Sequence, residues 1–410
     1  MRLKRPVVVG AAIAASLYAM PVMFAQDWPQ WRGPNRDGAV SAFREPGAWP
    51  EALKQQWKIE VGLGYATPLV VGQRLYLFTR QGEEEVMSAL DAASGKVLWR
   101  TAYSAPFQMV GATARHGAGP KSTPAFANGR IFSLGMTNIV TAFDAGTGKQ
   151  LWQKPATNAQ PAFHTAMSPL VDGNFLIVHV GGPGDTALSA LDVATGAIRW
   201  TWTGDSPAYG SPIVVELGGT RQLVTFTHRN LVGVALASGE LLWQRPFRTP
   251  SDTTSQTPIL FRDTIIQNGR DNGVTAFRAV RQDGKWTTED VWQTKEVSLH
   301  MTNGVAIDGV LYGLSHLSAG QYFALDLATG SVLWKSEPRQ AENAGMVRAG
   351  DTIFSLEDDG EMVIMKATRA AMSVVRRYDV ADSQTWAQPA ISGTRLYVKD
   401  IAHLTLWTLG

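Results

Sequence analysis

Cysteine is missing altogether from the 410 residues. Disulfides, a Cys-x-x-Cys-His haem site and a lipid-modified amino-terminal cysteine are therefore all excluded, and stability has to come from packing. Net charge is also nearly missing. The formal value is +2, and setting aside Arg2, Lys4 and Arg5 of the first segment takes it to −1. A chain so close to neutral lacks the basic surface that sequence-independent nucleic-acid binding needs. Long apolar runs are absent after the first residues, so no later stretch reaches the ~18 residues that span a bilayer. Helical spacing is nowhere sustained, and no Ser/His/Asp elbow, P-loop or dinucleotide fingerprint is present. GGPGD (181–185) has no helix after it and reads as a hairpin tip.

The opening MRLKRPVVVGAAIAASLYAMPVMFAQDW has a basic start, an apolar run from Val7 to Met20 and a small residue, Ala25, before polar sequence. That is the form of a secretory signal over residues 1–25, which predicts a periplasmic or secreted protein. Met23 stands where a small residue is preferred three places before the cut, so an uncleaved anchor is the alternative.

A phrase recurs through the remainder: LDAASGKVLW (90–99), FDAGTGKQLW (143–152), LDVATGAIRW (191–200) and LDLATGSVLW (325–334). It ends at Trp99, Trp152, Trp200, Trp243, Trp292 and Trp334, with Trp57 before the first and Tyr378 after the last, at spacings of 42 to 53 residues. A repeat of about 40 to 50 residues is the length of a four-stranded propeller blade. Each unit opens alike, as in ATPLVVGQRLYLF (66–78) and STPAFANGRIFSL (122–134), with two short β-branched and aromatic runs split by a turn. Asp91, Asp144, Asp192 and Asp326 precede Ser/Thr-Gly, where a short carboxylate accepts from turn amides and glycine takes φ > 0. The tryptophans are expected between blades. The phrase is thus read as architecture, and function is sought where the units differ.

Eight strand-opening segments begin near Thr67, Thr123, Ser168, Ser211, Thr257, Asn303, Ala344 and Gln388, and the last unit runs out of chain after three strands. LKQQWKIEV (53–61) supplies the fourth, with Trp57 in the place of the other outer tryptophans. The expectation is an all-β, eight-bladed β-propeller of four-stranded antiparallel blades over 53–410, closed by the amino-terminal strand joining the carboxy-terminal blade. Such closure leaves no open edge, and a monomer is expected. Residues 26–52 form an aromatic arm, Trp28-Pro29-Gln30-Trp31, which docks on its own disc or on a partner.

These phrases resemble the pyrroloquinoline quinone (PQQ) type propeller repeat, Ala-x-Asp-x-x-Thr-Gly-x-x-x-Trp, across essentially all of the chain after the leader. The unit ending VALASGELLW (234–243) has Ala235 for Asp, and the fifth and seventh units depart further. The resemblance implies fold more than function. Its enzymes are quinoprotein alcohol and sugar dehydrogenases with PQQ and calcium on the axis, and the vicinal cysteine pair common in the alcohol dehydrogenases is absent here. Another relative is the propeller lipoprotein of the outer-membrane β-barrel assembly machine, tethered through a cysteine this chain lacks. DWPQWRGPNRDG (27–38) is similar to the amino-terminal signature of an exported branch of PQQ-like propellers, which implies no particular reaction.

Loops leading into the innermost strands gather around a propeller's axis and are the natural place for binding. The residue three before each Thr/Ser-Pro, or its equivalent, is Tyr65, Lys121, Ala166, Tyr209, Ser255, Met301, Glu342 and Trp386. His116, His164 and His300 fall in these loops, and His228, His316 and His403 in loops between second and third strands. They are solvated loop residues, contacts for an organic ligand, or a shared metal site, although no His-x-x-x-His spacing supports the last. Calcium is disfavoured because its six to eight oxygens would come mainly from Glu342, Asn343, Asn303, Asp271 and Asn272, only two of them carboxylates. The reading with most chemical content is a flat anionic ligand such as PQQ, held by Lys121, Arg80 and Arg270 and stacked on Trp386, Tyr65 or Tyr209. Asp271 is then the best available base. Arg270 and Asp271 pairing across a hairpin tip, and Trp386 plugging the channel as core, are the structural alternatives. The function read from this is an exported, non-catalytic binding or scaffolding propeller whose partner is a protein, peptide or glycan; the alternative is a PQQ-dependent alcohol or sugar oxidoreductase.

Overall fold

The computed structural model describes residues 27–41, 43–109 and 111–409; the leader read at 1–25 lies outside them. The described residues form eight antiparallel four-stranded sheets arranged as the blades of a propeller. Blades one to seven occupy 69–104, 125–154, 170–202, 213–246, 259–294, 305–335 and 344–379. Blade eight takes its three inner strands from 390–408 and its outer strand from Lys54–Glu60, which pairs antiparallel with His403–Thr408. The amino-terminal segment therefore closes the ring, as its Trp57 predicts.

The repeated phrase is explained contact by contact. In blades one, two, three and six the Ala of Ala-x-Asp lies directly opposite the tryptophan on the outer strand, as Ala89 opposite Trp99 and Ala190 opposite Trp200, so a methyl leaves room for the indole. A bulge interrupts the register at this level in all eight outer pairs. A bulge adds local twist and re-aims a side chain, here turning the tryptophan toward the next blade. The indole then donates to a carbonyl in that blade's Ser/Thr-Gly turn: Trp57 to Ala93 at 2.9 Å, Trp99 to Ala145 at 3.1 Å, Trp152 to Val193 at 3.3 Å, Trp200 to Leu236 at 2.9 Å and Trp292 to Leu327 at 3.0 Å. The turn's glycine lies against the same ring. At Gly148 φ is +74° and an added Cβ would sit 2.4 Å from Trp99. Asp91 ties the turn by accepting from the Ser94 amide at 2.8 Å and its hydroxyl at 2.7 Å, bonds that hold its carboxyl below the usual carboxylate range.

The departures are equally legible. Blade five replaces the turn with a long hairpin, Gly273–Gln282 and Lys285–Thr294. The preceding Trp243 finds no turn carbonyl, so it donates to Gln222 Oε1 of its own blade at 2.7 Å and packs edge-on to Phe277. Arg245 bridges the gap to Asp290 at 2.6 Å and to Thr288 at 3.1 Å. In blade seven Tyr378 reaches Pro50, just before the closing strand, at 2.7 Å.

Candidate functional site

The opening Thr/Ser-Pro of the first five units, with Asn303 of the sixth, builds a belt around the axis. The Thr67 amide donates to Thr123 Oγ1, Thr123 to Ser168 Oγ, and Ser168 to Ser211 Oγ, each at 3.0 Å, while the Thr257 amide donates to Asn303 Oδ1 at 2.6 Å. Each hydroxyl thus satisfies a buried backbone donor on the neighbouring blade, and the proline after it stops the inner strand from pairing earlier.

The arm lies inside the ring. Gly72, at the hairpin tip ending blade one's inner strand, donates to Asp27 Oδ1 at 2.8 Å, and Trp28 bridges Val70 through bonds of 2.6 and 3.1 Å. The chain then climbs to Trp31, whose indole donates to Thr257 Oγ1 at 2.9 Å at the start of blade five's inner strand. It turns through Arg32-Gly33-Pro34-Asn35-Arg36 and descends, Ala39–Val40 running parallel to the end of blade seven's inner strand. Residues 27–40 are therefore a hairpin inserted into the axial channel from the face opposite the leading loops. Two buried arginines clasp it. Arg32 donates to the carbonyls of Asn303 at 3.1 Å and Gly304 at 2.6 Å, and Arg36 to those of Pro169 at 3.0 Å and Ser168 at 3.2 Å. Burial pulls Arg32 down to about 10, and burial with the nearby Arg32 charge pulls Arg36 down to about 9.

Above this hairpin a cavity of about 320 Å3 opens on the face of the leading loops. Tyr65, Lys121, Ala166, Tyr209, Ser255, Met301 and Trp386 line it, which is seven of the eight positions read from the sequence; at the eighth, Asn343 lines it and Glu342 does not. Arg270 lines it too, with His116 and His300. Three candidates are placed elsewhere. Arg80 is buried in the second strand of blade one, donating to Ala105 O at 3.0 Å with its guanidinium 4.5 Å from the Phe107 ring centroid, so it does not reach the axis. His164 is packed edge-on to Phe107, and burial followed by the Lys121 charge lowers its pKa. Asp271 stands at a hairpin tip beside the cavity, 3.2 Å from His316 Nε2 and 3.7 Å from Arg270 Nε. Trp31 and Phe163 are lining residues that reading by blade position misses, the first because it comes from the arm.

Among the described residues Lys121 and Arg270 are the Lys, Arg, Asp or Glu side chains that line the cavity, while Asp271 stands just outside, 3.7 Å from Arg270 Nε. Lys121 Nζ donates to Phe163 O at 3.0 Å, and burial lowers its pKa to about 8. Tyr209 accepts from the Phe163 amide at 3.1 Å, and burial lifts its hydroxyl to about 12. Burial, then the Arg270 and His316 charges, bring His300 down to about 4, which leaves it neutral at physiological pH. The ring of His116 stands edge-on to Trp386 at 4.6 Å between centroids.

Two of the oxygens read as calcium candidates are already engaged. Asn303 Oδ1 already accepts from Thr257 N, and Asn343 Oδ1 from Thr302 Oγ1 at 3.0 Å. Among the described residues no group of three or more His, Cys, Asp or Glu side chains is placed to share a metal ion. Asn303 and Asn343 are thus turned to other partners, and Asp271 pairs with His316 and Arg270.

A family model described as outer membrane protein assembly factor BamB matches residues 36–200 and 82–336. The chain belongs to this family of PQQ-like propellers. BamB of Burkholderia pseudomallei is 25% identical over 84% of this chain and 85% of its own. BamB of Yersinia pestis is 28% identical over 59% of this chain and 64% of its own, so the match spans just under two thirds of that relative. The quinohemoprotein alcohol dehydrogenase ADH-IIG of Pseudomonas putida is 24% identical over 79% of this chain but only 50% of its own. Among solved structures, BamB of Moraxella catarrhalis aligns with a TM-score of 0.60 at 16% identity, over 87% of this chain and all of that one. Quinohemoprotein alcohol dehydrogenase of Comamonas testosteroni aligns with a TM-score of 0.65 at 15% identity, over 94% of this chain and 80% of its own. At these identities the structural likenesses establish the propeller fold and nothing finer. The family thus joins proteins named as assembly factors to proteins named as dehydrogenases on one scaffold.

Proposed function

We propose that this PQQ-like propeller is an exported, non-catalytic binding protein whose axial cavity takes a carboxylate-bearing planar ligand, either free or displayed by a partner. One observation carries the reading: a cavity walled by all eight blades presents Lys121 and Arg270 among aromatic rings, and among the described residues no Asp or Glu side chain lines it, Asp271 lying just outside beside Arg270. A carboxylate there gains charge-assisted hydrogen bonds, and Tyr65, Tyr209 and Trp386 offer ring contacts beside it. The relatives named as assembly factors support a binding role, and the leader read at 1–25 supports export. The dehydrogenase alternative needs a base and a metal, and Asp271 is engaged with His316 and Arg270 while Asn303 and Asn343 accept from Thr257 and Thr302.

Calorimetric titration of the full chain with benzoate and with benzamide tests this. Benzoate should bind, benzamide should bind at least about tenfold more weakly, and Lys121→Gln or Arg270→Gln should each lose about tenfold for benzoate. Equal affinity for acid and amide overturns the anionic reading. Stoichiometric uptake of PQQ with dye-linked alcohol or sugar oxidation that is lost in Asp271→Asn would reverse the choice between binding protein and enzyme. Crosslinking in the native envelope tests the partner: a defined protein should be trapped, and a rim that captures none counts against scaffolding.

A further inference from the structure

We infer that the amino-terminal hairpin is a stopper that makes the axial channel a dead-ended cup, with Trp31 as the floor that decides how deep a ligand sits. This rests on the cavity being a ligand site. Three observations carry it. The hairpin is inserted from the far face, since Asp27 and Trp28 meet the end of blade one's inner strand while Trp31 meets the beginning of blade five's. Trp31 is the one arm residue among the lining side chains. The arm is fixed to the walls at several levels: Trp28 is fully buried, Pro29 O accepts from Phe126 N at 2.7 Å, Arg32 and Arg36 hold blades six and three, and Gly38 O accepts from Arg348 N at 2.8 Å. A ring fastened this way positions one indole, held by its N–H on Thr257 Oγ1, beneath whatever enters from above.

The floor is therefore supplied by a segment more than two hundred residues from the wall it bonds to, and its removal should leave a hole continuous with the cavity. A free indole can refill such a hole, and recovery of benzoate binding beside recovery of stability is what distinguishes a floor from a side chain that only packs the ring. In full-length Trp31→Ala, benzoate affinity should fall about three- to tenfold, since the ring contact is lost. Millimolar indole should raise the melting temperature of this variant, leave the wild type unmoved, and restore benzoate binding. Thr257→Val removes the hydroxyl that orients the indole and should weaken benzoate about threefold, while Thr257→Ser should not; this pair keeps the test informative if Trp31→Ala folds poorly. Unchanged benzoate affinity in Trp31→Ala with no response to indole overturns the floor and leaves the carboxylate reading standing. Indole rescue of the melting temperature with no benzoate binding in any chain upholds the floor and removes the carboxylate reading instead.

Discussion

The rim and the axis of this ring are built from the same repeats, yet they follow opposite rules. At the rim the contact is copied: the tryptophan of one blade lies on the glycine of the next and donates to its turn carbonyl, at five junctions with nearly the same distance. At the axis nothing is copied beyond the Thr/Ser-Pro belt, and the residues facing the cavity change from Tyr65 to Lys121 to Ala166 to Tyr209 in successive blades. Repetition makes a rigid scaffold because each blade buries what its neighbour cannot. Variation over that scaffold is where selectivity can be placed without cost to the ring. The junction of blades four and five shows what happens when the rim rule is broken, because Trp243 turns to its own blade and Arg245 takes over the bridging.

The contrast can be broken most forcefully at the rim. Trp200→Ala should cost about 3–5 kcal/mol in urea unfolding, because a buried indole and its bond to Leu236 are lost together, and should leave ligand affinity alone in whatever fraction stays folded. Next comes a glycine pair with the same backbone. Gly148 and Gly129 have φ of +74° and +73°, but only Gly148 faces an indole, with Trp99 at 2.4 Å from the added Cβ. Gly129→Ala should cost ~1 kcal/mol from conformation alone, and Gly148→Ala a further ~1–3 kcal/mol from overpacking. Equal costs would mean that the tryptophan is not seated as described.

A smaller effect concerns buried charge between the two regions. Glu357 accepts from Tyr322 at 2.7 Å, and burial lifts its carboxyl to about 7. In the unfolded chain it titrates near the ordinary carboxylate value, so between that value and about 7 the folded state holds the extra proton. Stability from this group is accordingly full below that window and lost as pH rises through it. Melting temperatures of Glu357→Gln against wild type should separate over the same window, the variant becoming the more stable of the two at pH 8. Smallest in stability is Arg270→Gln at the axis, which should move unfolding by no more than about 0.5 kcal/mol because the side chain is half exposed. Its effect belongs to ligand binding, and there the sign with pH is also set: benzoate affinity should weaken as pH rises through about 8, where Lys121 loses its charge.

Much of this was readable in the chain. Ala-x-Asp-x-x-Thr-Gly-x-x-x-Trp is a local phrase whose parts act within one turn or on the next repeat, so its spacing gave the blade length, while eight strand-opening segments gave the count and a last unit short of one strand placed Trp57 in the closing strand. Seven of eight cavity positions followed from counting back from each Thr/Ser-Pro, since equivalent positions in equivalent blades must lie on one circle. Arg80 was misplaced for a related reason. An arginine near the end of a second strand is close to the axis in sequence terms, but its side chain is drawn to Ala105 and Phe107 within its own blade. Trp31 was out of reach because its partner, Thr257, is 226 residues away and belongs to no repeat relation with the arm. The only local hint was a pair of tryptophans beside Arg-Gly-Pro-Asn-Arg, a compact turn.

What the sequence determined by itself was the ring: periodic hydrophobic strands, turn chemistry and an outer indole in seven of the eight blades are short-range instructions, repeated until the first and last segments meet. What tertiary structure decided was the interior of that ring, because the arm that fills the channel is fixed by carbonyls on blades three and six. Carbonyls carry no side-chain signature, so the cup and its floor exist only once the blades have been brought around them.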